Sequence, residues 1–198
     1  MTGGEDSDEE LVARAGCGDR AAASALVLRH TNRILAASYR MLGDRAAAED
    51  ATQETFLRLW KHAAAWKPQG AKFETWLYKI AMNICLDRLR RRGRERPEEE
   101  APEHADSAPL ADERMEQDDR RAAVEAALAA LPERQRQAIT LCHYQELSNI
   151  DAAAALEISV EALESLLARG RRALRDRLIS RRAELMEGGR HDASALSL

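Results

Sequence analysis

Aromatic residues make up only 4% of this chain, and Pro and Gly number just 5 and 10 among 198 residues. With Ala abundant, that scarcity argues against a β-sandwich or barrel and makes helix the default. Cysteine is nearly absent too. Cys17, Cys85 and Cys142 are far apart and odd in number, which argues against a disulfide framework and for a reducing compartment. No apolar run approaches the length of a membrane span, and the acidic opening MTGGEDSDEE lacks the basic and apolar regions of a signal peptide, so a cytoplasmic protein without a membrane role is expected. Signs of enzyme chemistry are also missing. His30, His62, His104, His143 and His191 have no metal-ligand spacing, no Gly-rich phosphate loop occurs, and no Ser, His and Asp set can be inferred. Cys142 beside His143 reads as a packed thiol, because neighbours on a helix point about 100° apart. No metal, cofactor or catalytic residue is expected.

What is present is segregated charge. The net charge of -4 does not announce a nucleic-acid binder, but local patches matter more than the sum. The stretch FETWLYKIAMNICLDRLRRR, 73–92, reads as a helix whose buried side is Phe73, Leu77, Ile80 and Ile84. Trp76, Lys79, Asn83 and Arg90 fall on an adjoining side, with Arg88, Arg91, Arg92, Arg94 and Arg96 just beyond. A stacking ring beside an amide and cations suits unpaired nucleic acid. The same residues also read as a core Trp followed by a solvated basic helix end that complements the macrodipole.

Elsewhere the pattern is helical. Residues 1 to about 8 are expected to be disordered. From Glu9 to Leu42, Leu28, Leu35, Tyr39 and Leu42 form one stripe beside Val27, Ile34 and Met41, with Gly16 to Gly18 splitting the run. Gly43 and Asp44 read as a left-handed stop and an N-cap. In the next helix, about 45–65, Thr52, Phe56, Leu59 and Ala63 turn inward. Asp50, Gln53, Glu54 and Leu57 share a polar face with one apolar residue in it, which is either a solvated face or a helix-docking one. WKPQGAK, 66–72, is a loop.

After Gly93 comes a Pro-rich acidic stretch, RERPEEEAPEHADSAPLADERMEQDD, expected as a linker. Helices follow at about 120–130, 133–147 and 148–157, with Asp151 in a capping-box-like position after Ser148. The last helix buries Val160, Leu163, Leu167, Gly170, Leu174 and Leu178 and turns out Glu161, Ser165, Ala168, Arg169, Arg172 and Arg175. A short helix, a tight turn and a second helix with a basic outer face is helix-turn-helix geometry, which small helix pairs without a DNA role share. Fraying is expected from about Glu187.

Taken in order, DATQETFLRLW, the Gly-containing loop, FETWLYKIAMNICLDRLRR, the acidic linker, LPERQRQAITL and the helix-turn-helix resemble a bacterial RNA polymerase sigma factor of the extracytoplasmic function (ECF) class. The likeness covers nearly all of the chain except its ends. It implies an all-α protein of two small helical domains, a region 2-like bundle over 9–95 and a region 4-like helix-turn-helix domain over 119–185, joined by a flexible acidic linker over 96–118. It also implies a non-enzymatic factor that binds core polymerase at the β′ clamp helices and β flap, recognises and melts promoter DNA, and is held by an anti-sigma factor. The resemblance places Asp50, Gln53, Glu54 and Leu57 on the clamp helices. It makes Lys67 to Lys72 the loop that captures a flipped base of the minus-ten element, and sets Lys67, Gln69, Lys72, Phe73, Trp76, Lys79, Asn83, Arg88 and Arg91 near the separated strand. Ser165, Ala168, Arg169 and Arg172 would meet the minus-thirty-five element. Glu164 and Leu166 stand where the family usually has cations, and Glu157 replaces a frequent Gly. Two other readings stay open: a helix-turn-helix repressor that binds DNA unaided, and a small helical enzyme.

Overall fold

The computed structural model describes residues 6–67, 72–95 and 112–195, and every regular element in them is helical. Helix α1, Asp8–Gly16, begins at a capping box: Ser7 Oγ accepts from Glu10 N at 3.2 Å while Ser7 N donates to Glu10 Oε2 at 2.9 Å. The expected disorder therefore fails at residues 6–8. Asp8 is tied to Arg29 at 2.6 Å and to His30 Nε2 at 2.9 Å; residues 1–5 lie outside the described residues.

Helix α2, Arg20–Leu42, starts at Asp19, whose carboxylate accepts from the backbone of Ala21 and Ala22. It ends at Gly43, which takes the left-handed conformation (φ 66°) that glycine adopts without a Cβ clash. Asp44 then caps α3, Arg45–His62, accepting from Ala47 N at 2.7 Å, and a 3₁₀ turn follows over Ala63–Ala65. Helix α4 spans Phe73–Glu95. The inward residues of α3 are as expected: Thr52, Phe56, Leu59 and Ala63 are all buried.

Two expected stripes need correction. On α2 the buried line runs through Leu26, His30, Ile34, Ala37 and Met41, and Leu28 is 79% exposed. On α4, Phe73, Leu77 and Ile84 are buried as expected but Ile80 is only half-buried, while Tyr78, Ala81, Met82 and Cys85 are sealed. The buried arc of α4 is wider than one stripe because a second set of helices packs on it.

That set begins with α5, Asp112–Ala129, so the expected linker 96–118 is already helical from Asp112. Helix α6, Glu133–Ile139, runs into a π-helical turn over Thr140–Tyr144, ending earlier than the expected 147. Helix α7, Asn149–Leu156, is capped by Ser148, and α8 spans Val160–Ala195, which takes in the residues from about Glu187 where fraying is expected. Leu163, Leu167 and Gly170 are buried on it as expected, while Val160, Leu174 and Leu178 on the same side are only half-buried.

One apolar core joins all of this. Leu26, Ile34, Met41, Leu59, Leu77 and Met82 of the first four helices are continuous with Leu128, Ile139, Leu141, Leu156 and Leu163 of the rest. At the junction Tyr78, 1% exposed, donates from its hydroxyl to Gln145 Oε1 at 2.7 Å, and burial pushes the phenol well above its usual range. Arg136, 8% exposed, donates to the carbonyl oxygens of Met41 at 2.6 Å and Leu131 at 3.1 Å; burial lowers its pKa. Among the described residues no helix is long and apolar enough to cross a membrane.

Candidate polymerase and nucleic-acid interfaces

The α3 face has the geometry its spacing predicts. Asp50 and Gln53 are exposed, Glu54 is half-buried and Leu57 is 55% exposed among them. Beside them, Val27, Thr31, Leu35, Thr52, Phe56 and Trp60 line a mostly apolar groove of about 410 Å³ between α2 and α3. Phe56 and Trp60 stack at 6.3 Å to wall one side of it. An exposed Leu at the lip of an apolar groove, rimmed by carboxylates and an amide, is suited to receive a helix from another protein.

Arg88 belongs to this face. Its guanidinium lies 3.0 Å from Glu54 Oε2 and 3.6 Å from Asp50 Oδ2, a bridge from α4 to α3. Partial burial would raise the Glu54 pKa, but hydrogen bonds from Arg88 and Arg58 outweigh it and hold the carboxyl below its usual range.

The second surface is built on the first two turns of α4. Trp76 is half-buried, its ring 6.0 Å from Trp66 and 6.1 Å from Phe73. Phe73 itself is only 1% exposed, wedged against His30 at 5.5 Å and Trp66 at 5.9 Å. Phe73, expected beside a DNA strand, is sealed in this structure, and its ring packs against Trp76. His30, which sequence reading passed over, belongs to the same aromatic stack. Its placement follows from Asp8, which fixes the imidazole from α1.

Lys67, Lys72, Asn83, Arg90 and Arg91 are exposed and Lys79 is half-buried, while Gln69 lies outside the described residues. A cavity of about 450 Å³ opens between His62, Trp66, Lys67, Thr75, Trp76 and Lys79, with Ala154 of α7 also lining it. The lysines do not face solvent alone. Lys72 Nζ lies 3.1 Å from Asp151 Oδ2, and Lys79 Nζ lies 2.7 Å from Glu157 Oε1. Hydrogen bonds from Ser148, and then from Lys72 and Thr75, hold the Asp151 carboxyl below its usual range despite partial burial.

The third surface is on α7 and α8. Glu157 closes α7 in the left-handed conformation (φ 56°), and the backbone N–H of Ile158 returns to Ala153 O at 3.1 Å. Ser159 accepts from Ala162 N at the start of α8. Ser165, Ala168, Arg169 and Arg172 are all exposed, and so is Glu164, which accepts from Asn149 Nδ2 at 3.4 Å.

Comparison with known proteins agrees with this geometry. Residues 26–95 match the family described as Sigma-70 region 2, and residues 121–174 match Sigma-70, region 4. The ECF RNA polymerase sigma factor SigE of Mycolicibacterium smegmatis is 39% identical over 174 residues, covering 84% of this chain and 66%, just under two thirds, of that protein. The RNA polymerase sigma-H factor of Pseudomonas aeruginosa is 32% identical over 180 residues, covering 86% of this chain and 93% of that one. The ECF sigma factor SigW of Bacillus subtilis is 31% identical, covering 81% of this chain and 91% of that one. Among solved structures, CnrH in complex with the cytosolic domain of CnrY is 27% identical with a TM-score of 0.67, over 88% of this chain and 99% of that one. RpoE of Bartonella quintana, in complex with the anti-sigma factor NepR, shares the fold at 24% identity and a TM-score of 0.61, over 78% of this chain and 95% of that one. With both of its halves matched and its relatives covered almost from end to end in the second and third cases, the chain belongs to the ECF class of RNA polymerase sigma factors.

Proposed function

We propose that this chain is the subunit core RNA polymerase takes up, in the cytoplasm, to find, open and start transcription from its promoters. It works as two units, 9–95 and 119–185. The α3 face of Asp50, Gln53, Glu54 and Leu57 docks on the β′ clamp helices, with Arg88 holding the two carboxylates in place, and the second unit meets the β flap. On α4, Trp76 stacks on a base of the separated minus-ten strand while Lys67, Lys72, Lys79, Asn83 and Arg91 meet its phosphates and edges. The loop that includes Gln69 takes a flipped base. Because extrusion costs only a few kcal/mol of unstacking, a pocket that accepts the base biases the duplex toward opening without ATP. Catalysis belongs to the core enzyme, and this chain supplies none.

Upstream, α8 lies in the major groove with Ser165, Ala168, Arg169 and Arg172 toward the minus-thirty-five element. Glu164 and Leu166 provide no cation there, and each missing phosphate contact removes roughly one unit from the salt slope of binding. Upstream binding is therefore weak on its own. An anti-sigma protein covers the polymerase-binding face until transcription is needed, as suggested by the solved relative bound to such a factor.

The observation that carries the reading is Leu57, 55% exposed within the α3 face beside an apolar groove, a surface that a DNA-binding protein acting alone has no use for. Mobility-shift assays on promoter duplexes test it. Specific binding is expected only when core polymerase is added, whereas tight specific binding by the chain alone would favour an unaided repressor.

A further inference from the structure

The strand-binding face of α4 is already occupied, and by acid. Asp151 and Glu157, at the start and just past the end of α7, lie on the ammonium groups of Lys72 and Lys79 at 3.1 and 2.7 Å. Thr75 adds its hydroxyl to Asp151 at 3.4 Å, and Ala154, between the two in sequence, lines the cavity beside Trp76. Charge-assisted contacts of this kind are the ones a DNA phosphate would make with the same lysines.

The register is fixed from beneath by two neutral, buried bonds and a partly buried one from a guanidinium. Tyr78 reaches Gln145 at 2.7 Å, Gln137 Nε2 donates to Met82 O at 3.2 Å, and Arg33 donates to Gln145 O at 3.0 Å. Glu157 holds its position at a cost, since a non-glycine residue at φ 56° is conformationally disfavoured. Strain of that sort persists where neighbouring contacts over-determine it: the backbone N–H groups of Glu157 and Ile158 return to Ala154 and Ala153 O, and the side chain pairs with Lys79. A Gly would close α7 more easily and would leave Lys79 unpaired.

We propose that the free chain masks itself: the carboxylates of Asp151 and Glu157 stand in for DNA phosphates on Lys72 and Lys79, so α7 must leave α4 before a DNA strand can enter. The inference rests on reading α4 as the strand-binding face. It makes the second unit an internal competitor of promoter DNA. It also gives opening a salt dependence of its own, because both pairs are partly exposed and ions screen them.

The test uses the full chain without polymerase. Binding of a fluorescent single-stranded oligonucleotide is followed by anisotropy, and compactness by small-angle X-ray scattering. Wild type is compared with E157Q, with D151N/E157Q, and with E161Q, which removes an exposed carboxylate elsewhere on the second unit. E157Q keeps the backbone demand at that position and removes only the charge; it also keeps the test decisive if the double variant folds poorly, since the Asp151 carboxylate accepts from Ser148 Oγ, the N-cap of α7. Self-masking predicts oligonucleotide binding about three- to ten-fold tighter for the double variant, less for E157Q and unchanged for E161Q, with the scattering ensemble expanding in the same order. A wild-type chain that is already extended, or that binds the strand as tightly as E157Q and the double variant, overturns it. Transcription with core polymerase separates the two claims: full transcription by an already-open chain defeats self-masking alone, whereas no transcription by any variant defeats the reading of function beneath it.

Discussion

Leu57, 55% exposed, stands among the α3 carboxylates at the lip of an apolar groove, and that setting makes it the most informative single residue. Replacing it with Ala removes little that is buried in the free protein, so the melting temperature should hardly change. Burial against a partner is another matter: truncation of a central apolar contact typically costs about 1–3 kcal/mol of binding. Leu57→Ala is expected to weaken association with core polymerase by roughly ten-fold or more, measured by fluorescence titration of labelled chain with core enzyme. The cysteines offer a second check at this scale. Burial pushes the Cys85 thiol up to about 11, and burial also raises Cys142, whereas Cys17 is exposed. Since the thiolate is the reactive form, iodoacetamide at pH 8 should modify Cys17 first and Cys85 only after unfolding, as read by mass spectrometry of the native and denatured chain.

At the scale of elements, α1 closes on the 3₁₀ turn after α3 with no room to spare. A Cβ at Gly16 would stand 2.8 Å from the backbone of Ala64, where no flexible side chain can give way. Gly16→Ala is expected to destabilise the fold by about 1–3 kcal/mol, the cost of overpacking, seen as a lower urea midpoint with an unchanged slope. Helix α7 carries a pH-dependent bond. The Asp151 pKa is depressed in the folded chain, so its contribution is complete above the ordinary carboxylate range and is lost as pH falls through that range. Urea unfolding should therefore find Asp151→Asn less stable than wild type at pH 7, with the gap closing below about pH 4.

These elements differ in how far they could be read in advance. The caps at Gly43, Asp44 and Ser148, the inward set on α3 and the two faces of α8 follow from local spacing. Ser7 with Glu10 is an equally local signature, hidden only because it lies in an acidic opening. Leu28 misled because a Leu at helical spacing outweighs His30 and Ala37, which are buried through packing rather than through hydrophobicity. Tyr78, Met82, Gln145 and Arg136 could not be ranked at all. They meet across long separations in sequence, and no periodicity encodes that meeting.

For the whole molecule, the order of motifs identified the family, and each half matches on its own. What the order left invisible is that the two halves share one core and that acidic side chains of the second sit on the lysines of the first. Phe73 and Arg88 are held within the fold in the same way: one packs against Trp76 and the other pairs with Glu54 across α3 and α4. On the proposed reading the protein acts through a partner, with Leu57 serving the partner and Trp76 serving the opened DNA. Run-off transcription with purified core polymerase on genomic promoter templates tests that directly, comparing wild type, Leu57→Ala and Trp76→Ala. The account predicts discrete new transcripts with wild type, loss with Leu57→Ala that excess chain restores, and loss with Trp76→Ala that a template with a pre-opened minus-ten region restores. No transcript above core enzyme alone, with wild type folded and in excess, would contradict it.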